Sequence, residues 1–312
     1  MINLKAGQQE LFENALQQER DVKLVSESLA MHTLIKKIKS IIKVSSPVLI
    51  LGESGSGKRM IAKEIFNNSI NHNKKLISIN LSGMNSDLID MKLFGSKDNQ
   101  GYLSSLNEKT LLIKNIDFLS PELQSKLLLF FQNGKILKNK NSYKFRIIAT
   151  ANSSLSHKIE KGEFREDLFR CLSQTLLIMP SLVERQKDIL PLVNLFLEEN
   201  NFKGDLDDSA MNKLQNHNWI GNVVELENIC LQIASLYKNQ TVSENHIPIF
   251  TSKDLDLALF VKYNPKVSLE ELVNYYISQS LKHFKSKKKS AESLKISVKT
   301  IYNKIDQGSV SY

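Results

Sequence analysis

The sequence predicts an α/β protein with a parallel sheet and a phosphate-binding loop, followed by an all-helical segment and a separate all-α unit. Three observations carry that prediction. Short apolar runs alternate with longer stretches of helical period between residues 24 and 180. A Gly-rich stretch, residues 52–59, directly follows the first run. Gly and Pro are scarce, 12 and 6 of 312 residues, which favours long helices over a loop-rich β architecture.

Residues 1–22 read as a polar helical leader with no apolar signal core, too short for a sensory domain. In the α/β segment, residues 23–180, the strand candidates are Pro47–Leu51, Leu76–Ile79, Leu111–Ile113, Phe145–Thr150 and Leu176–Met179. Each is nearly all apolar, as strands covered on both faces should be. Met60, Ile61, Ile65 and Phe66 share one helical face after the first strand. Residues 181–246 read as all helical and hold the single tryptophan, Trp219; residues 247–266 read as a linker, and 267–312 as a compact helical unit.

Hydrophobic residues at 41% and charged residues at 24% describe a globular chain. The 42 Lys and Arg against 33 Asp and Glu leave +9, which points to a polyanionic partner. Within residues 266–312, nine lysines face four acids, so +5 of the excess is concentrated there. Cys171 and Cys230 form neither a metal pair nor a disulfide framework, and the six histidines show no ligand spacing, so no metal site is expected. No run approaches the roughly 18 apolar residues of a spanning helix, and a membrane partner is not expected.

The run SPVLIL leads into Gly52, Glu53, Ser54, Gly55, Ser56, Gly57, Lys58 and Arg59. This is the Walker A pattern through its lysine: glycines let backbone amides converge on a phosphate, a helix N-terminus points at the same place, and Lys58 reaches the terminal phosphates. Arg59 stands where the pattern has Ser or Thr, so the hydroxyl ligand for Mg2+ is missing.

From about Leu24 to the C-terminus the chain resembles the NtrC-type enhancer-binding proteins, AAA+ activators of sigma-54 RNA polymerase. The resemblance rests on LVSESLAM (Leu24–Met31), GESGSGKR, MKLFG (Met91–Gly95), RIIATAN (Arg146–Asn152), GEFREDLF (Gly162–Phe169) and WIGNVVELEN (Trp219–Asn228). It implies an AAA+ parallel-sheet P-loop domain with an all-helical lid, ending in a Fis-type helix-turn-helix, and no receiver domain. Asn152 would be the sensor I residue and Arg165 the first arginine finger.

The resemblance also locates departures. The family ends its third apolar strand in Asp-Glu, for magnesium and for the attacking water; this chain has Lys114 and Asn115. Asp117, two residues on, is expected to face elsewhere. After Leu93–Gly95 only SKDNQ precedes Gly101, so the polymerase-contact loop, of the Gly-Ala-Phe-Thr-Gly-Ala type, reads as deleted. Cys171 replaces the second finger arginine, with Arg170 one residue early, and Val224 replaces the sensor II arginine.

Residues Ser268–Ile305 resemble the Fis-type unit. A long amphipathic helix from about Leu269 to Phe284 presents Leu272, Val273, Tyr276, Ile277 and Leu281 for packing or dimerisation. A short helix is expected around Ala291–Leu294, a turn at Lys295–Ile296, and a recognition helix capped by Ser297. The candidate DNA contacts are Lys289, Ser297, Val298, Lys299, Thr300, Tyr302, Asn303 and Lys304, with Ile301 and Ile305 turned inward.

Together these readings describe a bacterial, cytoplasmic and nucleoid-associated regulator. Its partners would be double-stranded DNA, copies of itself as a dimer or higher oligomer, and RNA polymerase holoenzyme. ATP or another nucleotide would bind without hydrolysis, and Mg2+ is poorly provided for. Two alternatives stand beside it: a working ATPase at sigma-54 promoters, and a sensor of a different nucleotide such as a cyclic dinucleotide.

Overall fold

The computed structural model of the chain describes residues 24–44, 46–69, 75–96, 100–106, 109–133, 145–249, 269–284, 286–294 and 296–306. The leader at 1–22, most of the linker at 247–266, and Lys295 lie outside them. Met1–Pro248 and Ile249–Tyr312 are separate compact units.

The first unit opens with helix α1 (Leu29–Ile41), then alternates β1 (Val48–Leu51), α2 (Lys58–Asn67), β2 (Leu76–Asn80), α3 (Ser86–Phe94), β3 (Thr110–Lys114), α4 (Pro121–Asn133), β4 (Arg146–Ala151), α5 (Leu155–Glu160), α6 (Glu166–Leu172) and β5 (Thr175–Ile178). All pairings are parallel, in the order β2-β3-β4-β1-β5. The five strands fall on the five apolar runs of the sequence, shifted by a residue or two.

Period-2 alternation sends successive strand residues to opposite faces. Leu49, Leu111, Ile113, Ile147 and Ala149 join the layer formed with α3, α4 and α6. Val48, Ile50, Leu112, Ile148 and Leu177 join the layer formed with α1 and α2. The C-terminal ends of β1, β3 and β4 therefore open side by side at one edge of the sheet, leading into Gly52, Asn115 and Asn152.

The lid follows as α7 (Ile189–Glu199), α8 (Asp208–Asn216) and α9 (Asn222–Tyr237). Asp207 caps α8 by accepting the Ala210 amide at 2.8 Å. Trp219 is buried and donates its indole N–H to the Leu214 carbonyl at 2.9 Å, which fixes the approach to α9. Between β5 and α7 the polar stretch Val183–Asp188 forms a short 3-10 segment whose Arg185 and Asp188 are both buried. The Asp188 carboxylate accepts from the Glu27 amide (2.6 Å), the Ser28 amide (2.8 Å) and the Ser28 hydroxyl (2.7 Å). It thus ties the start of α1 to the start of the lid.

The second unit contains α10 (Leu269–Phe284), α11 (Lys287–Ser293) and α12 (Val298–Asp306), packed around Ile277, Leu281, Ala291 and Ile301. Helix α11 begins earlier than the sequence predicts. Ser286 accepts the Lys289 amide as its N-cap, so the lysine run forms the first turn of the helix. Among the described residues no helix is long and apolar enough to cross a membrane, and both cysteines are free.

Asp188→Ala leaves the two buried Ser28 donors and the part-buried Glu27 amide without their acceptor. The expected loss is about 3 kcal/mol in urea denaturation. A loss below about 1 kcal/mol would show that the latch is dispensable.

Candidate functional site

Leu51 hands the chain to the loop 52–57, and α2 begins at Lys58. Gly57, at the N-cap, offers no side-chain cap, so the first amides of α2 are left facing the loop. Gly55 has φ +73, and a Cβ there would stand 2.1 Å from the Gly221 carbonyl oxygen, a position that only glycine fits. Lys58 folds back over the loop, donating to the Gly52 and Glu53 carbonyls at 2.8 and 2.7 Å. Burial draws its pKa below the usual lysine range, while the Asp117 and Glu53 carboxylates act the other way.

The loop is clamped by the lid. Asn222 is buried and left-handed (φ +56), and its amide nitrogen donates to Glu53 Oε2 and the Ser54 carbonyl, both at 3.0 Å. Its amide oxygen accepts the Leu182 N–H at 2.7 Å, and the Val223 amide donates to the Gly55 carbonyl at 3.0 Å. From the other side the Arg185 guanidinium donates to the Ser56 carbonyl. Burial works against the Arg185 charge, and Asp188 supports it.

Asn222 lies in a stretch that carries the family resemblance. Arg185 and Asp188, by contrast, belong to a polar run that reads as surface, and only their spacing after Pro180 could have drawn attention to them.

Lys114 ends β3 half-buried, and among the described residues its ammonium has no hydrogen-bond or ion-pair partner. Desolvation lowers its pKa to about 8, aided by the positive charges of Arg59 and Lys63 on α2. Asn115 is left-handed (φ 58) and structurally engaged: its N–H donates to Thr150 Oγ1 at 3.1 Å and its amide to Asn80 Oδ1 at 2.8 Å.

That left-handed residue corrects the expectation for Asp117. A continuing strand would turn Asp117 away, but the reversal at Asn115 and the 3-10 turn Ile116–Phe118 bury it beside Asn152. The Asn152 amide approaches its carboxylate at 3.4 Å, and Lys158 Nζ pairs with it at 3.2 Å. The Asn152 side chain accepts from the Ser154 amide at 3.1 Å.

Arg165 is exposed and held by Asp167, with contacts of 3.0 and 2.7 Å. Arg170 pairs with Glu166 at 2.6 Å, while Cys171 packs partly buried against the core. Val224 is 52% exposed on α9. Gly95 and Gln100 bridge antiparallel, and a Cβ on Gly101 would lie 2.3 Å from the Gly95 nitrogen. The chain therefore turns back on itself directly after α3.

The loop fits a phosphate: the first amides of α2 face it without a side-chain cap, and Lys58 reaches across it. It does not fit a divalent cation, because Arg59 and Lys114 replace oxygen ligands with positive charge. Among the described residues no group of three or more His, Cys, Asp or Glu is placed to hold a metal.

In the second unit Ser297 caps α12 by accepting the Thr300 amide at 3.0 Å. At about 100° per residue, Lys299 and Asn303 project opposite buried Ile301, and both are exposed. Val298 and Tyr302 are exposed alongside, Thr300 is half-buried, and Lys289 is exposed on α11. Tyr302 stacks under the Lys287 ammonium at 4.2 Å. Lys304 departs from the expected groove face. It lies on the flank of α12, 19% exposed, paired with Glu270 of α10.

Lys114 binds fewer protons folded than unfolded between about pH 8 and its ordinary value of 10.5. Its penalty is therefore full below about pH 8 and fades as pH rises through that window. Lys114→Met is expected to be more stable than the native chain near neutral pH, by an amount that shrinks as pH rises above about 8. Urea denaturation of both proteins across that range measures it; a difference that stays flat would contradict the assignment.

Residues 24–177 match the family model described as the sigma-54 interaction domain, and residues 183–255 match the AAA+ ATPase lid domain. The HTH-type transcriptional regulatory protein TyrR of Haemophilus influenzae is 32% identical, over 91% of this chain and 94% of that protein. The putative uric acid sigma-54-dependent transcriptional regulator UacR of Escherichia coli is 30% identical over 94% of this chain, which spans only 55% of that relative. In fold, the crystal structure of NtrX from Brucella abortus in complex with ATP superposes with a TM-score of 0.72 at 23% identity, over 96% of this chain and 73% of that one. A five-stranded parallel sheet with a lysine-bearing loop, clamped by a helical lid and matched along its length by these sequences, places the chain in the family of transcriptional regulators that carry a sigma-54 interaction domain and an AAA+ lid.

Proposed function

We propose that this chain is a DNA-binding transcriptional regulator whose AAA+ domain binds ATP or another nucleotide but does not hydrolyse it, acting in the bacterial cytoplasm through DNA occupancy and self-association. The observation that carries the reading is the end of β3. Lys114 and Asn115 stand where hydrolysis needs two carboxylates, and Asn115 is consumed by Asn80 and Thr150. Gly52 to Arg59 would hold the phosphates through backbone amides. Lys58 would exchange its two carbonyl acceptors for a phosphate oxygen.

Three further features support it. Arg165 remains at the finger position, but Cys171 takes the second and Val224 takes the lid arginine. The short return from Gly95 to Gln100 leaves no room for a polymerase-contact loop, so remodelling of a sigma-54 polymerase is not expected. RNA polymerase holoenzyme would instead be met through promoter-bound protein.

Asp117 is the one observation that favours a working hydrolase, since its carboxylate acts on Lys58. Its pairing with Lys158 and its contact with the Asn152 amide argue against a role as base. Magnesium-dependent ATP turnover by the full chain, measured at protein concentrations that promote self-association, decides between the two. The expected result is no turnover above a Lys58→Ala control. Turnover abolished by Lys58→Ala would establish the hydrolase.

For DNA, the exposed face of α12 carries the reading, with Lys289 as a flanking phosphate contact. Lys299→Ala with Asn303→Ala is expected to weaken promoter binding at least about tenfold and to lower the salt slope by about one unit. Unchanged affinity and unchanged salt slope would overturn the assignment. Lys304→Ala should act instead through the α10–α12 pair and lower the stability of the second unit.

A further inference from the structure

We propose that the loop takes its nucleotide as a metal-free anion, with Lys114 and Arg59 supplying the positive charge that a divalent cation supplies in a Mg2+-dependent P-loop. The inference rests on the nucleotide-binding reading above and adds the ionic form of the ligand. Lys114 ends β3 at the edge of the sheet where β1 leads into the phosphate loop, and Arg59 and Lys63 on α2 are close enough for their charges to act on its ammonium. The charges acting on the Lys114 ammonium are positive ones, and among the described residues it has no hydrogen-bond or ion-pair partner.

Such a group is costly to keep. A half-buried ammonium facing like charges destabilises the empty protein near neutral pH, and an anion bound beside it relieves that penalty without loss of the proton. The Asp117 carboxylate is held by Lys158 and the Asn152 amide, and no carboxylate is among the charges that act on Lys114. A phosphate chain lying over the amides of residues 52–58 would meet Lys58 on one side and Lys114 and Arg59 on the other.

A divalent ion in the same place would face two cations at close range and would lack both the hydroxyl and the carboxylate that hold it in the ordinary pattern. Magnesium should therefore compete with the protein for the nucleotide rather than assist its binding.

Calorimetric titration of the full chain with ATP and with ADP, in EDTA and in excess magnesium, tests this. Affinity in EDTA is expected to exceed that in excess magnesium. Tripolyphosphate in EDTA is expected to compete, because recognition lies in the phosphate chain. Lys114→Met should lose about ten- to a hundredfold in affinity in EDTA, while its melting temperature without nucleotide stays at or above that of the native chain. Arg59→Ser, which restores a hydroxyl, provides a second variant and should shift the preference towards magnesium.

Binding that requires magnesium would overturn the metal-free form while leaving nucleotide binding intact. So would native-like affinity of Lys114→Met in EDTA. Absence of binding in both conditions would overturn the nucleotide reading itself.

Discussion

The phosphate loop of this protein takes its shape from the lid. Gly55, left-handed, lies so close to the Gly221 carbonyl that the loop has no room for a side chain there, and the next lid residue, Asn222, is left-handed too. Asn222 uses both ends of its amide, accepting from Leu182 and donating to Glu53 and Ser54. Arg185 holds Ser56 from behind, and its charge is supported by Asp188, which also captures the start of α1. Buried polar groups of this kind tolerate few alternatives, since each one broken leaves partners stranded away from water. Any ligand of the loop therefore acts on a surface whose geometry the lid sets.

Within that scaffold the electrostatics of one strand end are inverted. The sheet brings the C-terminal ends of β3 and β1 to the same edge, with β4 between them, so residue 114 ends its strand on the side of the sheet where the loop begins. On the proposed reading, a lysine there, with the Arg59 charge acting on it, makes the place suited to an anion rather than a cation. The change leaves the fold intact because it falls at the C-terminal end of a strand, where side chains leave the core. Asn115 then reverses the chain and brings Asp117 to Lys158, while its charge still acts on Lys58 of the loop.

Much of this was legible in the sequence. The strands were readable because both of their faces are buried and their runs are uniformly apolar. The loop was readable because its glycines and lysine have fixed spacing. Ser297 was readable as a cap because its neighbours alternate in helical period. Other features were hidden by the same rules. Arg185 and Asp188 look like surface residues because nothing local reveals that two polar side chains have found buried partners 129 and 160 residues away. Asp117 was misplaced because a left-handed Asn115 leaves no mark in hydropathy. Lys304 was counted on the groove face because a helix wheel shows direction but not the glutamate waiting on α10. The start of α11 was hidden because the lysines at 287–289 carry no apolar period, and only the Ser286 cap marks them as its first turn.

The central claim is that cations of the chain, and not a metal ion, face the phosphates. Electron paramagnetic resonance of Mn2+ mixed with ATP and increasing amounts of the full chain tests it most directly. If the chain takes ATP as a free anion, it strips the nucleotide from Mn2+, and the signal of the hydrated ion rises with protein concentration. A hydrated-ion signal that falls as protein is added, through a protein–ATP–metal complex, would contradict the account.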